Sequence, residues 1–337
     1  MTKRNFLKKI NSLTKLHYKN SKDYEKIINN IYFKKTEVSE IEKVPFLPSR
    51  IFKDISLKSI PDEKVFKVLN SSGTSSSGLS KIYLDKINAA AQTNVLNKIV
   101  SNILGTKRLP MIILDEKKNI NDPKRFNAKT AAYLGFSLFG RNNFYMIKDG
   151  KIDYKNLNIF LDNFSNEKFL IFGFTSNVYD ILVQNLNLKK LKNKSFKKAV
   201  LIHGGGWKKM ENKKISNLKF KELLLRNLKL NQIYNYYGLI EQTGSIFFES
   251  EKCGFFTTNE FSEILIRDKN FKISPNGTKG FVQLLSLLPT SYPGHSILTE
   301  DIGQIFNIKN CKCGNDAKHF LIHGRLKESE LRGCSDV

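Results

Sequence analysis

The sequence lacks the uninterrupted apolar run of roughly 18 residues that a membrane-spanning helix needs, so no membrane span is predicted. No signal peptide is predicted either, because the first thirty residues mix lysines with spaced apolar positions. Cysteine is scarce, with 4 in 337 residues, which predicts a reducing compartment and free or metal-bound thiols. Together these features predict a cytoplasmic protein.

Acidic residues are few relative to basic ones: 31 Asp+Glu stand against 56 Lys+Arg, giving a formal charge of +25. Such an excess raises nucleic acid as a partner. However, no block of five or more like charges occurs, and the lysines are spread along the whole chain among many Asn and Ile. A compositional bias therefore explains the charge better than a nucleic-acid footprint, and we predict no nucleic-acid partner. An acidic protein partner would suit this charge.

Apolar runs alternate with helically spaced segments over most of the chain, which predicts an α/β fold with a largely parallel sheet. From about residue 255 the pattern changes to short strands with Gly/Pro turns, which predicts a β-rich subdomain. The expected organisation is a helical segment at 1–60, an α/β core at 61–254, the β-rich subdomain at 255–323 and a tail at 324–337. Within the core, strands are predicted at 111–115, 143–147, 169–174 and 198–202, and helices at 87–104, 128–139, 154–164 and 178–186.

The stretch from Ser71 to Lys81 carries hydroxyls at seven of its eleven positions, with two glycines among them. Apolar or alternating runs on both sides predict a strand, a loop and a second strand. Glycines let backbone N–H groups converge and short hydroxyls add donors, so this loop is suited to anionic oxygens such as a polyphosphate. It is not a Walker A loop, because Leu79 stands where that motif requires Lys. The alternative is a flexible Ser/Gly linker.

Four later stretches contain residues of the types that bind nucleotides. Gly204–Gly206 follows a predicted buried strand and leaves bare backbone, although a tight strand–helix turn explains it equally well. Tyr237 and Glu241 place an aromatic ring and a carboxylate four residues apart, for which a core tyrosine and a solvated glutamate are the alternatives. Asp301 offers a carboxylate to a sugar diol, and Arg325 follows a glycine close to the chain end.

In this order, the stretches resemble the adenylate-forming (acyl-AMP) ligases. Within that superfamily the sequence is similar to the acyl-protein synthetases of bacterial bioluminescence, the fatty-acid-activating component of fatty acid reductase. The resemblance runs from about Pro45 to the end and includes His203–Lys208 and Leu288–Ser296. It implies a large N-terminal domain of the adenylate-forming type, with mixed and parallel sheets flanked by helices and a small β-rich subdomain.

The resemblance also implies a role for each matched position. Glu241 would ligate Mg²⁺, and ATP would be the nucleotide. The triphosphate would contact Ser72, Gly73, Thr74, Ser75 and Lys81; adenine would contact Gly205, Gly206 and Tyr237; and the ribose would contact Asp301 and Arg325. Gly238 would be a further contact of the nucleotide.

The sequence stops twelve residues after Arg325, so we expect the protein to lack the small C-terminal lid domain that most such ligases carry. The resemblance implies that Cys334 takes the acyl group from acyl-AMP as a thioester, which suits a thiolate attacking a mixed anhydride. The thioester would pass to an acceptor, either a reductase or an acyl carrier protein. The alternative is an exposed terminal cysteine with no role.

The other cysteines form a separate question. Cys311 and Cys313 have the local spacing of metal ligands, and Cys253 or His319 would complete a tetrahedral zinc site. Three reduced thiols in a turn are the alternative. For the acyl chain, apolar candidates lie at predicted strand ends and turns, although core packing explains them equally well. These candidates are Gly135, Phe136, Phe172, Gly173, Phe174 and Thr175.

The predicted function is an ATP-dependent acyl-protein synthetase that activates a carboxylic acid, expected to be a fatty acid, and transfers it to Cys334 and onward. Two alternatives stay open at this point. One is a carboxylate–CoA ligase of the phenylacetate-activating type, which shares these motifs. The other is a basic nucleic-acid-binding protein whose serine-rich loop is a linker.

Overall fold

The computed structural model describes residues 1–71, 79–119, 128–191, 194–308, 310–314 and 317–325. The predicted phosphate-loop residues Ser72, Gly73, Thr74 and Ser75 and the predicted nucleophile Cys334 lie outside the described residues. In the described ranges, the α-helices are α1 (Lys3–Asn20), α2 (Lys22–Tyr32), α3 (Ile51–Asp54), α4 (Lys86–Leu104), α5 (Ala128–Ser137), α6 (Tyr154–Phe164), α7 (Thr175–Val178) and α8 (Asn217–Leu228). The strands are β1 (Leu47–Pro48), β2 (Lys67–Asn70), β3 (Lys81–Leu84), β4 (Leu109–Glu116), β5 (Gly140–Lys148), β6 (Lys151–Ile152), β7 (Phe169–Phe174), β8 (Ala199–Gly204), β9 (Gln232–Tyr237), β10 (Phe247–Phe248), β11 (Phe256–Thr257), β12 (Ser262–Arg267), β13 (Gly280–Ser286), β14 (Ser296–Phe306) and β15 (His319–Arg325).

The chain divides into two compact units. The central unit is Val100–Tyr237, and the flanking unit combines Met1–Ile99 with the described residues from Gly238 onward. The predicted boundaries at residues 61, 255 and 324 stay predictions.

The central unit is built on a sheet with the strand order β9-β8-β7-β4-β5-β6, in which β6 alone of these strands is antiparallel to its neighbour. Every residue of β7 and β8 is buried. Strands covered on both faces by helices need apolar residues at consecutive positions, which explains the unbroken apolar runs. The predicted α/β class with a largely parallel sheet is confirmed.

Helices of the central unit cover the sheet with apolar faces whose ends are set by capping residues. Helix α6 begins after Asp153, whose carboxylate accepts a hydrogen bond from the backbone N–H of Asn156. Its buried side, which includes Phe160, packs on the sheet core. Helix α8 begins after Ser216, which caps it in the same way, and it ends at Lys229 in the left-handed conformation. A polar cap followed by spaced apolar residues defines each helix locally.

The flanking unit contains an antiparallel sheet in the order β11-β15-β14-β13-β12, with β1 added parallel to β14. Strands β2 and β3 form a separate antiparallel hairpin around the serine-rich stretch. The predicted strand–loop–strand arrangement is therefore present at its two strands. From residue 256 onward the described strands are β11 to β15, which agrees with the predicted change to a β-rich pattern at about residue 255.

Helix α1 packs its apolar side, including Phe6 and Ile10, against Val44, Leu265 and Leu285 of the flanking unit. The amphipathic pattern of the first residues thus serves core packing. Of the helices in the described ranges, none has the length and apolar character that crossing a membrane requires.

Candidate active site

The glycine turn lies at the carboxyl end of β8, where ligands of parallel sheets usually bind. A Cβ at Gly204 would stand 2.4 Å from the Tyr236 ring, so only glycine fits there. Gly205 has a φ of +73°, which favours glycine over residues with side chains. A Cβ at Gly206 would meet nothing within 4 Å. The turn thus presents bare backbone that a flat ring can approach.

Tyr237 ends the neighbouring strand β9 at the same edge of the sheet. The register pairs His203 with Asn235 and Gly204 with Tyr236, so Tyr237 follows directly beside the turn. The central unit therefore brings together three of the predicted adenine contacts, Gly205, Gly206 and Tyr237. This arrangement suits a purine ring that stacks on an aromatic face and lies against backbone.

Thr175, which sequence analysis assigned to the acyl pocket, is bonded to the glycine turn. Its Oγ1 lies 2.9 Å from His203 Nδ1, and it donates toward the carbonyl oxygens of Gly204 and Gly205 at 3.1 and 3.0 Å. Burial lowers the pKa of His203 to about 3, and the positive charge of Lys221 acts in the same direction. No local sequence signal announces this contact, because Thr175 and His203 lie at the ends of different strands.

Glu241 lies in a short 3₁₀ turn of the flanking unit and is buried. The Tyr292 hydroxyl donates to its backbone carbonyl at 2.8 Å. Burial raises the pKa of the Glu241 carboxyl, while backbone and Ser80 hydrogen bonds and the positive charges of Arg325 and Lys53 oppose that rise. The alternative of a solvated glutamate is wrong. Carboxylate oxygens are ligands that Mg²⁺ takes from proteins, and the cationic groups near Glu241 are of the type that binds phosphate.

Gly238, a predicted nucleotide contact, lies at the start of this segment. A Cβ there would stand 2.9 Å from the Cγ2 atom of Ile246, so close packing requires a glycine. This packing is a reason for glycine that does not involve the nucleotide, and the predicted contact stays a prediction.

Lys81 begins β3 and is exposed. The two ends of the hydroxyl-rich loop are joined next to it: the Ser71 N–H donates to the Ser80 carbonyl at 3.0 Å, and the Ser80 N–H donates to Ser71 Oγ at 2.9 Å. These two hydrogen bonds fix Ser71 and Ser80 relative to one another. The contact of Lys81 with a triphosphate stays a prediction.

Asp301 and Arg325 are brought together by the pairing of β14 with β15, where they lie opposite one another. Arg325 Nε is 3.7 Å from Asp301 Oδ1. The Asp301 N–H donates to Thr299 Oγ1 at 3.1 Å, which fixes the carboxylate-bearing residue. A carboxylate and a guanidinium side by side offer both acceptors and donors to a diol.

The sulfur and nitrogen atoms of Cys253, Cys311, Cys313 and His319 all lie within 4.8 Å of one another. Cys313 Sγ and His319 Nε2 are 3.0 Å apart. A tetrahedral zinc ion with Zn–S bonds of about 2.3 Å separates its ligands by about 3.8 Å, so this donor set fits zinc. Sequence analysis left Cys253 and His319 as alternatives for one position, whereas the structure assembles both.

The aromatic acyl-pocket candidates pack against one another in the central unit. The rings of Phe136 and Phe172 stack with centroids 4.2 Å apart, and Phe172 and Phe174 are 6.3 Å apart. A Cβ at Gly173 would stand 2.8 Å from Leu114 Cβ, so Gly173 is required by packing. Core packing accounts for these contacts, and an acyl-binding role for these residues stays a prediction.

A profile of the family described as "Acyl-protein synthetase, LuxE" matches residues 2–337. The chain belongs to this family. The match confirms the predicted resemblance and the predicted enzyme class.

Two curated proteins are similar to this chain, and both are named long-chain-fatty-acid–luciferin-component ligase. The one from Aliivibrio fischeri is 24% identical over 304 residues, covering 87% of this chain and 77% of that protein. The one from Vibrio harveyi is 23% identical, covering 95% and 83%.

Among solved structures, the fold is similar to that of 2-hydroxyisobutyryl-CoA ligase in complex with 2-HIB-AMP and CoA. The TM-score is 0.75 at 14% identity, covering 95% of this chain and 67% of that chain. At this identity the likeness concerns the fold, and it confirms the predicted fold of the adenylate-forming type.

Proposed function

We propose that the protein is an ATP-dependent acyl-protein synthetase that activates a fatty acid as acyl-AMP and transfers the acyl group to its own cysteine. The family match over residues 2–337 carries the proposal. In the first step a carboxylate oxygen attacks the α-phosphorus of ATP, the bond to the β-phosphate oxygen breaks, and pyrophosphate leaves. The long-chain fatty acid is inferred from the names of the two curated relatives.

In the central unit, Gly205, Gly206 and Tyr237 hold the adenine ring. The bare backbone at Gly206, where a Cβ would meet nothing within 4 Å, supports this role. Stacking on Tyr237 and contact with backbone bind the ring without charge, which leaves the ionic contacts to the phosphates and ribose.

In the flanking unit, Asp301 and Arg325 hold the ribose hydroxyls, and Lys81 with Ser72, Gly73, Thr74 and Ser75 holds the triphosphate. Glu241 holds Mg²⁺ through its carboxylate, the type of oxygen ligand that Mg²⁺ takes from proteins beside substrate phosphates. When bound, Mg²⁺ neutralises charge that develops on the phosphate oxygens during attack. Lys81 supplies a second positive charge for the same oxygens.

In the second step the Cys334 thiolate attacks the acyl carbon, a C–S bond forms, and the bond to AMP breaks, with AMP leaving as the anion. The thioester stays reactive enough to pass the acyl group onward. The acceptor is an acidic protein, either a reductase or an acyl carrier protein, which suits the net charge of +25.

Pyrophosphate exchange across fatty acids of increasing length, combined with a Cys334→Ser variant, tests the proposal. We expect exchange, and hydroxylamine-trapped acyl product, from both wild type and variant, with covalent labelling by radioactive fatty acid in wild type alone. Labelled Cys334→Ser protein would refute the role of the thiol. Rapid acyl-CoA formation would favour the CoA-ligase alternative, and absence of exchange with every acid would refute adenylation altogether.

We also propose that Cys253, Cys311, Cys313 and His319 bind a structural zinc ion. The convergence of their ligand atoms within 4.8 Å supports this site. The three cysteines are free thiols, as a reducing cytoplasm would keep them. Zinc would tie residues 253 and 311–313 to the start of β15, the strand that ends at Arg325.

Elemental analysis of the purified protein tests the zinc site, with Cys311→Ser as the disrupting variant and Lys312→Ala as its matched control. Lys312 is exposed between the two cysteines, and its replacement removes none of the four proposed ligands. We expect one zinc per chain in wild type and control, and loss of zinc with a lower melting temperature in Cys311→Ser. Zinc-free wild type whose melting temperature is insensitive to a chelator would contradict the proposal.

A further inference from the structure

A threonine hydroxyl and an imidazole, both buried, lie next to the glycine turn of the central unit. Thr175 Oγ1 is 2.9 Å from His203 Nδ1, 3.1 Å from the Gly204 oxygen and 3.0 Å from the Gly205 oxygen. The exposed fractions of His203 and Thr175 are 1% and 7%. One hydroxyl therefore links the imidazole to two consecutive carbonyls of the turn.

Only one placement of the protons makes all three contacts of the Thr175 hydroxyl hydrogen bonds. A threonine hydroxyl has one hydrogen, and the two carbonyl oxygens are acceptors, so the hydroxyl hydrogen belongs to the carbonyls. His203 Nδ1 must then donate to Thr175 Oγ1. The neutral ring carries its hydrogen on Nδ1 and a lone pair on Nε2.

The environment of Nε2 agrees with this tautomer. Within the described residues, His203 Nε2 is buried and has no hydrogen-bond partner. The Phe220 ring lies beside the imidazole with its centroid 5.0 Å away. A bare lone pair tolerates an apolar neighbour better than an unpaired N–H would.

Fixing two carbonyls also fixes the peptide groups to which they belong. The Gly204 carbonyl shares a plane with the N–H of Gly205, and the Gly205 carbonyl shares one with the N–H of Gly206. In a trans peptide the N–H points opposite to the carbonyl. Both N–H groups are therefore directed away from Thr175, and at Gly206 the backbone borders open space.

We propose that His203 and Thr175 are positioning residues that hold the glycine turn in the shape that accepts the purine ring of ATP. The inference rests on the proposed function, because it takes the turn as the adenine site. Glycines have no intrinsic preference for this shape, and without the hydroxyl the turn would sample other conformations. Neither side chain contacts the nucleotide. Replacing either one should therefore weaken ATP binding indirectly, by changing the shape of the glycine turn.

Steady-state pyrophosphate exchange with paired variants tests this role. Thr175→Val keeps the shape and removes the hydroxyl, whereas Thr175→Ser keeps the hydroxyl. His203→Leu removes the donor, whereas His203→Asn places an amide N–H where Nδ1 stood. We expect the KM for ATP to rise about tenfold in Thr175→Val and His203→Leu. A rise of this size corresponds to the loss of one buried hydrogen bond. The KM for the fatty acid should stay unchanged, and Thr175→Ser and His203→Asn should retain most of the ATP affinity.

Thr14→Val is the matched control for general destabilisation. Thr14 Oγ1 makes the same kind of buried contact in the flanking unit, 2.9 Å from His295 Nε2. We expect Thr14→Val to lower the melting temperature and to leave the KM for ATP unchanged. If Thr175→Val behaves like Thr14→Val, or if Thr175→Ser is as defective as Thr175→Val, the positioning role is overturned.

Tyr237→Ala separates failure of this inference from failure of the proposed function. A raised KM for ATP in Tyr237→Ala with normal affinity in Thr175→Val would refute the positioning role alone. Normal affinity in both variants would refute the adenine site itself. If His203→Leu does not fold, the Thr175 pair decides, since valine and threonine have the same shape.

Discussion

Asp301 and Arg325 lie opposite one another on adjacent antiparallel strands, with Arg325 Nε 3.7 Å from Asp301 Oδ1. The exposed fractions of their side chains are 12% for Asp301 and 42% for Arg325. Asp301 is buried, whereas Arg325 is exposed, so water reaches the pair from the arginine side and screens its attraction. Under the proposed function, this pair holds the ribose hydroxyls of ATP.

We predict that Asp301→Asn raises the KM for ATP about tenfold or more, the loss typical of a hydrogen bond to a charged group. The melting temperature should change little, since the ion pair is partly exposed. Pyrophosphate exchange at varied ATP concentration measures the first effect, and thermal unfolding the second. Gln304→Ala, a change on the same strand that removes hydrogen bonds to Gly277 and His323, should leave the KM for ATP unchanged. A normal KM in Asp301→Asn would contradict the ribose assignment.

The position of Glu241 predicts a specific link between pH and Mg²⁺. Because burial raises the pKa of its carboxyl, protonation should weaken metal binding at a higher pH than for an exposed glutamate. Glu241→Gln should lower the affinity for Mg²⁺ at least about tenfold. Loss of a residue that only orients a metal ligand already lowers metal affinity by about that factor, and loss of a ligand itself should lower it at least as much. Titrations of exchange activity with Mg²⁺ at several pH values measure both effects. Glu260→Gln removes a surface carboxylate and should leave the Mg²⁺ requirement unchanged.

Much of the fold follows from local patterns in the sequence. The predicted helix at 154–164 and strand at 169–174 have the same bounds as α6 and β7. Each is specified by its own residues: a polar cap with spaced apolar positions in one case, a continuous apolar run in the other. Because strands and helices alternate along this part of the chain, the strands are expected to be parallel to one another in one sheet.

The site depends on contacts that no local pattern contains. Glu241 is buried because Tyr292 and Gly294, far along the chain, close over its backbone. His319 completes the cysteine cluster because strand pairing brings it there. Thr175 lies in an apolar stretch that predicts core packing, whereas its hydroxyl faces the glycine turn. Tertiary structure, and not residue type, decides each of these cases.

The glycine turn offers two substitutions of which one should lower stability and the other should not. In Gly204→Ala the new methyl would stand 2.4 Å from the Tyr236 ring, so the ring must move and the protein should lose stability. In Gly206→Ala the methyl meets nothing within 4 Å, so stability should be retained while the KM for ATP rises. Chemical unfolding and pyrophosphate exchange distinguish the two outcomes. Equal loss of stability in both variants would contradict the geometry of the turn.

The last prediction concerns acid sensitivity of the flanking unit. His17 and His295 are buried and stacked with ring centroids 5.0 Å apart. Burial lowers the pKa of His17 from 6.5 to about 4 and that of His295 well below its usual value. His17 Nε2 donates to the Pro289 carbonyl at 3.0 Å. Burial favours the neutral ring, and in that ring Nδ1 accepts from the Ser59 hydroxyl at 2.8 Å.

Below pH 6.5 the unfolded chain binds protons at these rings and the folded chain does not, so the free energy of unfolding must fall as pH falls. The expected slope is about 1.4 kcal/mol per pH unit for each ring, continuing toward pH 4 for His17. His17→Gln keeps an amide donor for Pro289 and cannot titrate, so one proton fewer is taken up on unfolding. The free energy of unfolding should therefore depend less steeply on pH in this variant than in wild type. Urea unfolding between about pH 7.5 and about pH 5 measures the slopes, and equal slopes for wild type and His17→Gln would show that His17 is protonated in the folded state.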